Sequence, residues 1–164
     1  MNQNENRIQE LIRKCTKKEI TISTAESCTG GMIATLLTDI PGSSAVFYGS
    51  CVTYTNEIKK KLLGVSPELI EHYSEVSHSC AKAMAVGVRK ALGTTLAVST
   101  TGYAGPTGGT PADPVGTVYI AIATPNGTFS ERLSLPSTQS RAEIRSAAAE
   151  RALDMLCRYV QEQK

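Results

Sequence analysis

A short β-branched segment, Ile20-Thr21-Ile22-Ser23, runs directly into Thr-Ala-Glu-Ser-Cys-Thr-Gly-Gly at positions 24–31. Two apolar pairs follow, Met32-Ile33 and Leu36-Leu37, one helical turn apart. The first pattern suits a strand and the second a helix with one buried face. The chain is thereby committed to a tight strand-to-helix turn with Ser27 in it. Two readings of that turn follow from the residues. Ser, Thr and Glu ahead of an apolar run are capping residues for a helix start. The same helix start presents backbone N–H groups that lack intrahelical partners and suit an anion or a developing oxyanion. Cys28, Thr29, Gly30 and Gly31 are the candidate donors, and the two glycines let a ligand approach the backbone closely.

Around this turn, helices and strands interleave. Residues 4–17 carry Ile8, Leu11, Ile12 and Cys15 on one helical face. A strand over 20–25 leads through the turn into a helix that ends at Pro41-Gly42. Residues 45–54 suit a strand with a bulge at Gly49. Thr55 or Asn56 caps a helix that stops at Gly64, and Ser66-Pro67 opens another. Ser77 opens a helix with Ala81, Met84, Val88 and Leu92 inward and Gly93 as its stop. Strand 96–100 enters a glycine- and proline-rich loop, 102–114. Strand 115–124 then pairs with 128–135 through a Pro-Asn-Gly hairpin signal. Ser140 and Glu143 form a capping box for the last helix, lined by Ile144, Ala148, Ala152, Met155 and Tyr159. That order predicts an α/β layered sandwich with a mixed sheet of about five strands. With 164 residues the expectation is one domain spanning 1–164.

Composition narrows the function classes. A net charge of +2 gives no nucleic-acid footprint, and Lys59-Lys60-Lys61 is the densest basic run. No apolar stretch reaches a membrane span and no signal-peptide core leads the chain, so a cytosolic location is expected. Five scattered cysteines without a C-x-x-C pair, and only two histidines, predict reduced thiols and no metal site. No cofactor is expected either.

A serine nucleophile needs a group to take its proton. His72 lies on a charged helix flank and His78 one residue into a helix, so both read as surface residues. Tyr54-Thr55-Asn56-Glu57-Ile58-Lys59 offers the other route, a lysine held neutral by burial or neighbouring positive charge and helped by a tyrosine. Lys60 and Lys61 would supply such a field, although a lysine at a helix start is ordinarily just solvated. The glycine-rich stretch from Thr101 through Gly102, Gly105, Gly108 and Gly109 matches neither the P-loop nor the dinucleotide fingerprint. Its backbone still suits a nest for phosphate or carboxylate, with an ordinary long loop as the alternative. Arg141 and Arg145, one turn apart, are candidate anion partners or part of a solvated face.

Taken together, Ala25-Glu26-Ser27-Cys28-Thr29-Gly30-Gly31, Pro41-Gly42-Ser43-Ser44, Val52-Thr53-Tyr54-Thr55-Asn56-Glu57, Leu63-Gly64-Val65, Val76-Ser77, Thr101-Gly102-Tyr103-Ala104-Gly105-Pro106 and Pro114-Val115-Gly116-Thr117-Val118-Tyr119 occur in this order. The set closely resembles the CinA C-terminal domain family, whose characterised members include stand-alone nicotinamide-nucleotide amidohydrolases. The resemblance covers roughly residues 6 to 160 and implies a domain without the nucleotide-binding domain that precedes it in longer members. It implies a three-layer α/β/α fold and hydrolysis of nicotinamide mononucleotide to nicotinate mononucleotide and ammonia. It further implies a nucleophile at Ser27 with Tyr54 and Lys59 as its acid–base partners. Thr101, Gly102, Gly105, Gly108, Gly109 and Arg141 are then candidates for the ribose-phosphate end. The expected assembly is a homodimer.

Several positions depart from the family's usual pattern. Asp113 stands where lysine is common, Ser50 replaces glycine, Tyr103 a small aliphatic residue, and Tyr73-Ser74-Glu75 a His-Gly-Ala. Gln139-Ser140 stands where Gly-Asp is common. An aspartate beside the ligand loop is expected to weaken affinity for an anionic nucleotide. The competing reading is a binding or regulatory module linked to competence that keeps the fold without turnover. Cys28 as nucleophile fails on its surroundings, since no histidine is placed to make a thiolate.

Overall fold

In the computed structural model, which describes residues 3–163, the sheet has five strands in the order β2-β1-β3-β4-β5. They are β1 (Ile22–Glu26), β2 (Phe47–Val52), β3 (Leu96–Gly102), β4 (Thr117–Thr124) and β5 (Gly127–Ser134). β1 lies between β2 and β3 and is parallel to both, while β4 is antiparallel to β3 and forms a hairpin with β5. The sheet is therefore mixed, as the element order predicts. The helices are α1 (Gln3–Lys17), α2 (Met32–Thr38), α3 (Asn56–Leu63), α4 (Pro67–Tyr73), α5 (His78–Leu92) and α6 (Arg141–Glu162), with a 3₁₀ turn at Ser43–Ala45.

Residue alternation along β3 and β4 decides how the layers stack. Leu96, Val98, Val118, Ile120 and Ile122 face one way and pack with Ile8, Leu11, Ile33, Leu37 and Ile144 of α1, α2 and α6. The opposite face carries small residues, Ala25, Ala97, Ala121 and Ala123, and there α5 lies close to the sheet through Ala81, Met84, Ala85 and Val88. Large side chains thus fill one face of the sheet, and mostly small ones fill the face on which α5 packs. The result is a three-layer α/β/α sandwich. On the α5 side α3 is drawn in as well. A Cβ added at Gly87 of α5 would lie 2.1 Å from the carbonyl oxygen of Leu63, so only glycine admits this approach. α3 carries Lys59, so the contact also fixes where that side chain lies.

Local signals in the sequence match the helix ends. Thr55, Ser66, Ser77 and Ser140 each accept a backbone N–H at an N-terminus, and Ser140 with Glu143 completes the capping box. Gly64 and Gly93 close α3 and α5 in the left-handed conformation. The strand bounds differ modestly. β1 and β2 occupy 22–26 and 47–52 rather than 20–25 and 45–54, since Ser43–Ala45 is already a 3₁₀ turn. The register between β1 and β2 slips at Ile22/Ser23, which passes from Phe47 to Gly49 and makes Tyr48 the bulged residue. β4 begins at Thr117, and a Cβ added at Gly116 just before it would lie 2.1 Å from the Leu135 carbonyl oxygen, so only glycine fits there.

Candidate active site

Because β2, β1 and β3 run parallel, their C-terminal ends share one edge of the sheet, with Glu26 of β1 opposite Val52 and Thr100. Ligand sites in open α/β sheets form at such an edge. The residues that leave these strands are Ser27 after β1, Tyr54 to Lys59 after β2 and Thr101 to Gly105 at and after β3. They surround a cleft of about 370 Å³, joined from the far side by Glu75, Val76 and Arg141.

Ser27 and Lys59 meet inside it. The Lys59 ammonium nitrogen is 3.1 Å from the Ser27 hydroxyl, and the two residues are 2% and 7% exposed. Burial pushes the Lys59 pKa down, while Cys80, the Glu75 carboxylate and Cys28 pull the other way without reversing it. Of the two causes open in the sequence, burial and neighbouring positive charge, the first operates. Lys60 and Lys61 are solvated and take no part; desolvation favours the neutral amine. A neutral lysine amine beside a serine hydroxyl is a proton acceptor for that hydroxyl.

The strand-to-helix turn resolves its two readings in an unexpected way. Glu26, fully buried, supplies the cap for α2. Its carboxylate accepts the N–H groups of Gly31, Ile33 and Ala34 at 3.0, 3.1 and 3.0 Å and the Thr29 hydroxyl at 2.7 Å. Ser27 is thus released from capping and faces Lys59. The expectation that Gly30 and Gly31 would offer free amides requires correction. Gly31 donates to Glu26, Gly30 donates to the Ser27 carbonyl, and Ser27 itself donates to Thr100. Cys28 and Thr29 are the remaining amides of the turn, and of these two residues only Cys28 lines the cleft. Arg145 fixes the turn from behind, donating to the carbonyls of Cys28 and Thr29 at 3.0 and 3.1 Å. Its sequence reading as an anion partner gives way to this clamp.

Tyr54 is 59% exposed on the rim, and its hydroxyl accepts from Arg141 at 2.8 Å rather than bonding Lys59. Arg141 also donates to the Gly105 carbonyl at 2.7 Å, so its guanidinium bridges the two sides of the cleft. Thr101, Gly102 and Gly105 line the cleft, but the Thr101 hydroxyl is committed to the Glu75 carbonyl at 2.7 Å. Gly108 and Gly109 fall outside the lining. Gly109 serves the close approach of the loop to its own return, with an ideal Cβ 2.8 Å from the Val115 nitrogen. Asp113, expected to oppose an anionic ligand, also stands outside the lining; its carboxylate pairs with Arg132 at 3.2 Å and accepts the Tyr119 hydroxyl at 2.8 Å.

The other chemistry-bearing residues lie elsewhere or are inert. Cys28 is buried and its thiol is pushed up to about 11 by that burial, which disfavours a thiolate. All five cysteines are free thiols. His78 is exposed and bonded to Ser130, and His72 sits edge-on to Tyr73; neither lines the cleft. Among the described residues no group of three or more His, Cys, Asp and Glu could hold a metal ion. No helix among them is long and apolar enough to cross a membrane. Sequence reasoning missed Glu26 and Arg145 as the anchors of the turn. The available signal was an acidic side chain at the end of an otherwise uncharged strand, five residues before an uncapped glycine N-terminus.

A sandwich with a mixed sheet, a strand-to-helix turn anchored by a buried glutamate, and a serine–lysine pair at the ends of parallel strands together define a compact α/β domain of one kind. The chain belongs to the CinA C-terminal domain family, whose pattern matches residues 4–160. It is 49% identical over 149 residues to a CinA-like protein of Shewanella denitrificans, covering 91% of this chain and 35% of that protein. It is 50% identical over 141 residues to a CinA-like protein of Myxococcus xanthus, covering 85% of this chain and 33% of that protein. The chain thus spans about a third of the length of these relatives. Among solved structures, the competence/damage inducible protein CihA from Agrobacterium tumefaciens superposes with a TM-score of 0.93 at 39% identity, covering 99% of this chain and 98% of that one.

Proposed function

We propose that this domain hydrolyses the carboxamide of nicotinamide mononucleotide to nicotinate mononucleotide and ammonia, with Ser27 as nucleophile and Lys59 as base. The observation that carries the reading is the buried 3.1 Å contact between Lys59 and Ser27 on the wall of an open cleft. A domain that only binds has no need to bury an amine against a hydroxyl, since the burial costs free energy and returns one hydrogen bond.

The Ser27 oxygen attacks the amide carbon as Lys59 takes the hydroxyl proton. The Cys28 amide, with Thr29 behind it, stabilises the oxyanion. The carbon–nitrogen bond breaks, and the Lys59 ammonium returns its proton to the departing ammonia. A water then adds to the acyl-enzyme while Lys59 again takes a proton, and the ester bond breaks to regenerate the serine hydroxyl. Tyr54, held by Arg141, sits at the mouth, and its part is to orient the substrate there. Arg141 and the cleft-facing backbone at Gly102 and Gly105 receive the phosphate end. No cofactor enters this scheme, and the enzyme works in the cytosol as a homodimer.

The test is ammonia release from nicotinamide mononucleotide by the wild-type protein and by Ser27→Ala. Turnover that falls by two or more orders of magnitude in the variant supports the reading. A folded wild type that releases no ammonia overturns it and leaves the competence-linked binding module as the better account.

A further inference from the structure

Glu75 and Tyr103 line the same cleft. Glu75 lies in the link between α4 and α5, and its carbonyl accepts the Thr101 hydroxyl, which ties it to the end of β3. It is half-buried, and it is the only carboxylate side chain lining the cleft among the described residues. The Ser74 hydroxyl donates to its carboxylate at 3.3 Å, and it takes part in none of the ion pairs among the described residues. The other charged groups of the cleft are Lys59, which catalysis requires as the neutral amine, and Arg141, whose guanidinium is taken up by the Tyr54 hydroxyl and the Gly105 carbonyl. A half-buried carboxylate bonded only by a hydroxyl keeps acceptor capacity for a cationic ligand.

Tyr103 stands on the β3 side. Its backbone continues the strand, donating to the Thr117 carbonyl and accepting from Gly116. Its ring packs against the cluster that includes Val76 and Tyr119, and a Cβ at Gly108 would meet it at an ordinary 3.5 Å. An aromatic face near a carboxylate is a receptor for a flat cation, which gains from both the ring quadrupole and the opposite charge.

We propose that Glu75 and Tyr103 form a subsite for a flat cationic ring, so that the cleft selects carboxamides carried on a positively charged aromatic ring over their neutral counterparts. The proposal rests on the amidase reading for the orientation of the ring: the carboxamide toward Ser27, the ring between Tyr103 and Glu75. Nicotinamide joined through its ring nitrogen to ribose carries that charge, whereas free nicotinamide does not.

The experiment compares binding of 1-methylnicotinamide, a cation, and nicotinamide, its neutral counterpart, to wild type, Glu75→Gln and Tyr103→Leu by titration calorimetry or ligand-observed NMR. Turnover of nicotinamide mononucleotide is followed alongside. Wild type is expected to prefer the cation by about tenfold, the size of one partly screened charge pair. In Glu75→Gln that ratio falls toward one, with nicotinamide binding little changed. In Tyr103→Leu both ligands weaken, the cation more. Equal binding of the two ligands by wild type overturns the proposal. So does an unchanged ratio in Glu75→Gln, including the case where the variant alters only the pH dependence of turnover through Lys59. A wild type that prefers the cation through Glu75 but turns over no nicotinamide mononucleotide refutes the reaction and leaves the subsite standing.

Discussion

Replacing Lys59 with methionine separates the needs of the fold from the needs of the chemistry. The lysine side chain is 2% exposed, and its amine meets the Ser27 hydroxyl at 3.1 Å. Methionine keeps the unbranched stem and most of the volume, so the packing of α3 against α5 survives. The substitution removes a buried polar group whose desolvation costs about 1–3 kcal/mol, and it forfeits one hydrogen bond worth about 1 kcal/mol. The net expectation is a gain of about 1 kcal/mol, which for a domain of this size raises Tm by about 2–4 °C. Turnover should fall at the same time by about 10²–10⁴-fold, the worth of a positioned general base. Calorimetry and ammonia release on the same preparations read both quantities. A Lys59→Met protein that melts well below wild type would show that the amine is a structural tie, and the argument from its burial would fail. Retained turnover would refute its role as base.

Three further outcomes follow from the geometry. Glu26→Ala strands the amides of Gly31, Ile33 and Ala34 in a buried turn, so urea unfolding should show a loss of about 3–5 kcal/mol; a loss under 1 kcal/mol would mean water can replace the cap. Gly87→Ala drives a methyl into the Leu63 carbonyl and pushes α3 away, so stability should drop by about 1–3 kcal/mol and kcat with it as Lys59 leaves Ser27; undiminished kcat would uncouple α3 position from activity. Lys59 acts only as the free amine, and burial lowers its pKa from 10.5, so kcat/KM should fall as pH drops through that lowered value and level off at a pH below that of an ordinary lysine. An acid limb at or above 10.5 contradicts the desolvated base.

What could be read from the sequence was what neighbouring residues decide among themselves. Ser66-Pro67, Ser77, and Ser140 with Glu143 place helix starts because each cap acts within one turn. The inward face of α1 follows from its own spacing. The order of strands did not follow, because nothing near β1 says that β2 and β3 will flank it. Pairs distant in sequence were likewise hidden. Lys59 and Ser27 are 32 residues apart, and Arg141 and Tyr54 are 87 apart. The sequence left burial and neighbouring charge both open as the cause of the lysine's low pKa, and the fold supplies it through burial. Glu26 was read among capping residues but not as the cap itself, since an acid that accepts amides up to eight residues onward needs the turn already folded.

The most direct test of the serine–lysine account is rapid acid quenching of the wild-type protein during turnover of nicotinamide mononucleotide, followed by peptide mass spectrometry. The account predicts a nicotinoyl-nucleotide ester on Ser27, formed faster at pH values where Lys59 is neutral and missing from Ser27→Ala. An acyl group on Cys28, or full turnover by Ser27→Ala, would contradict it.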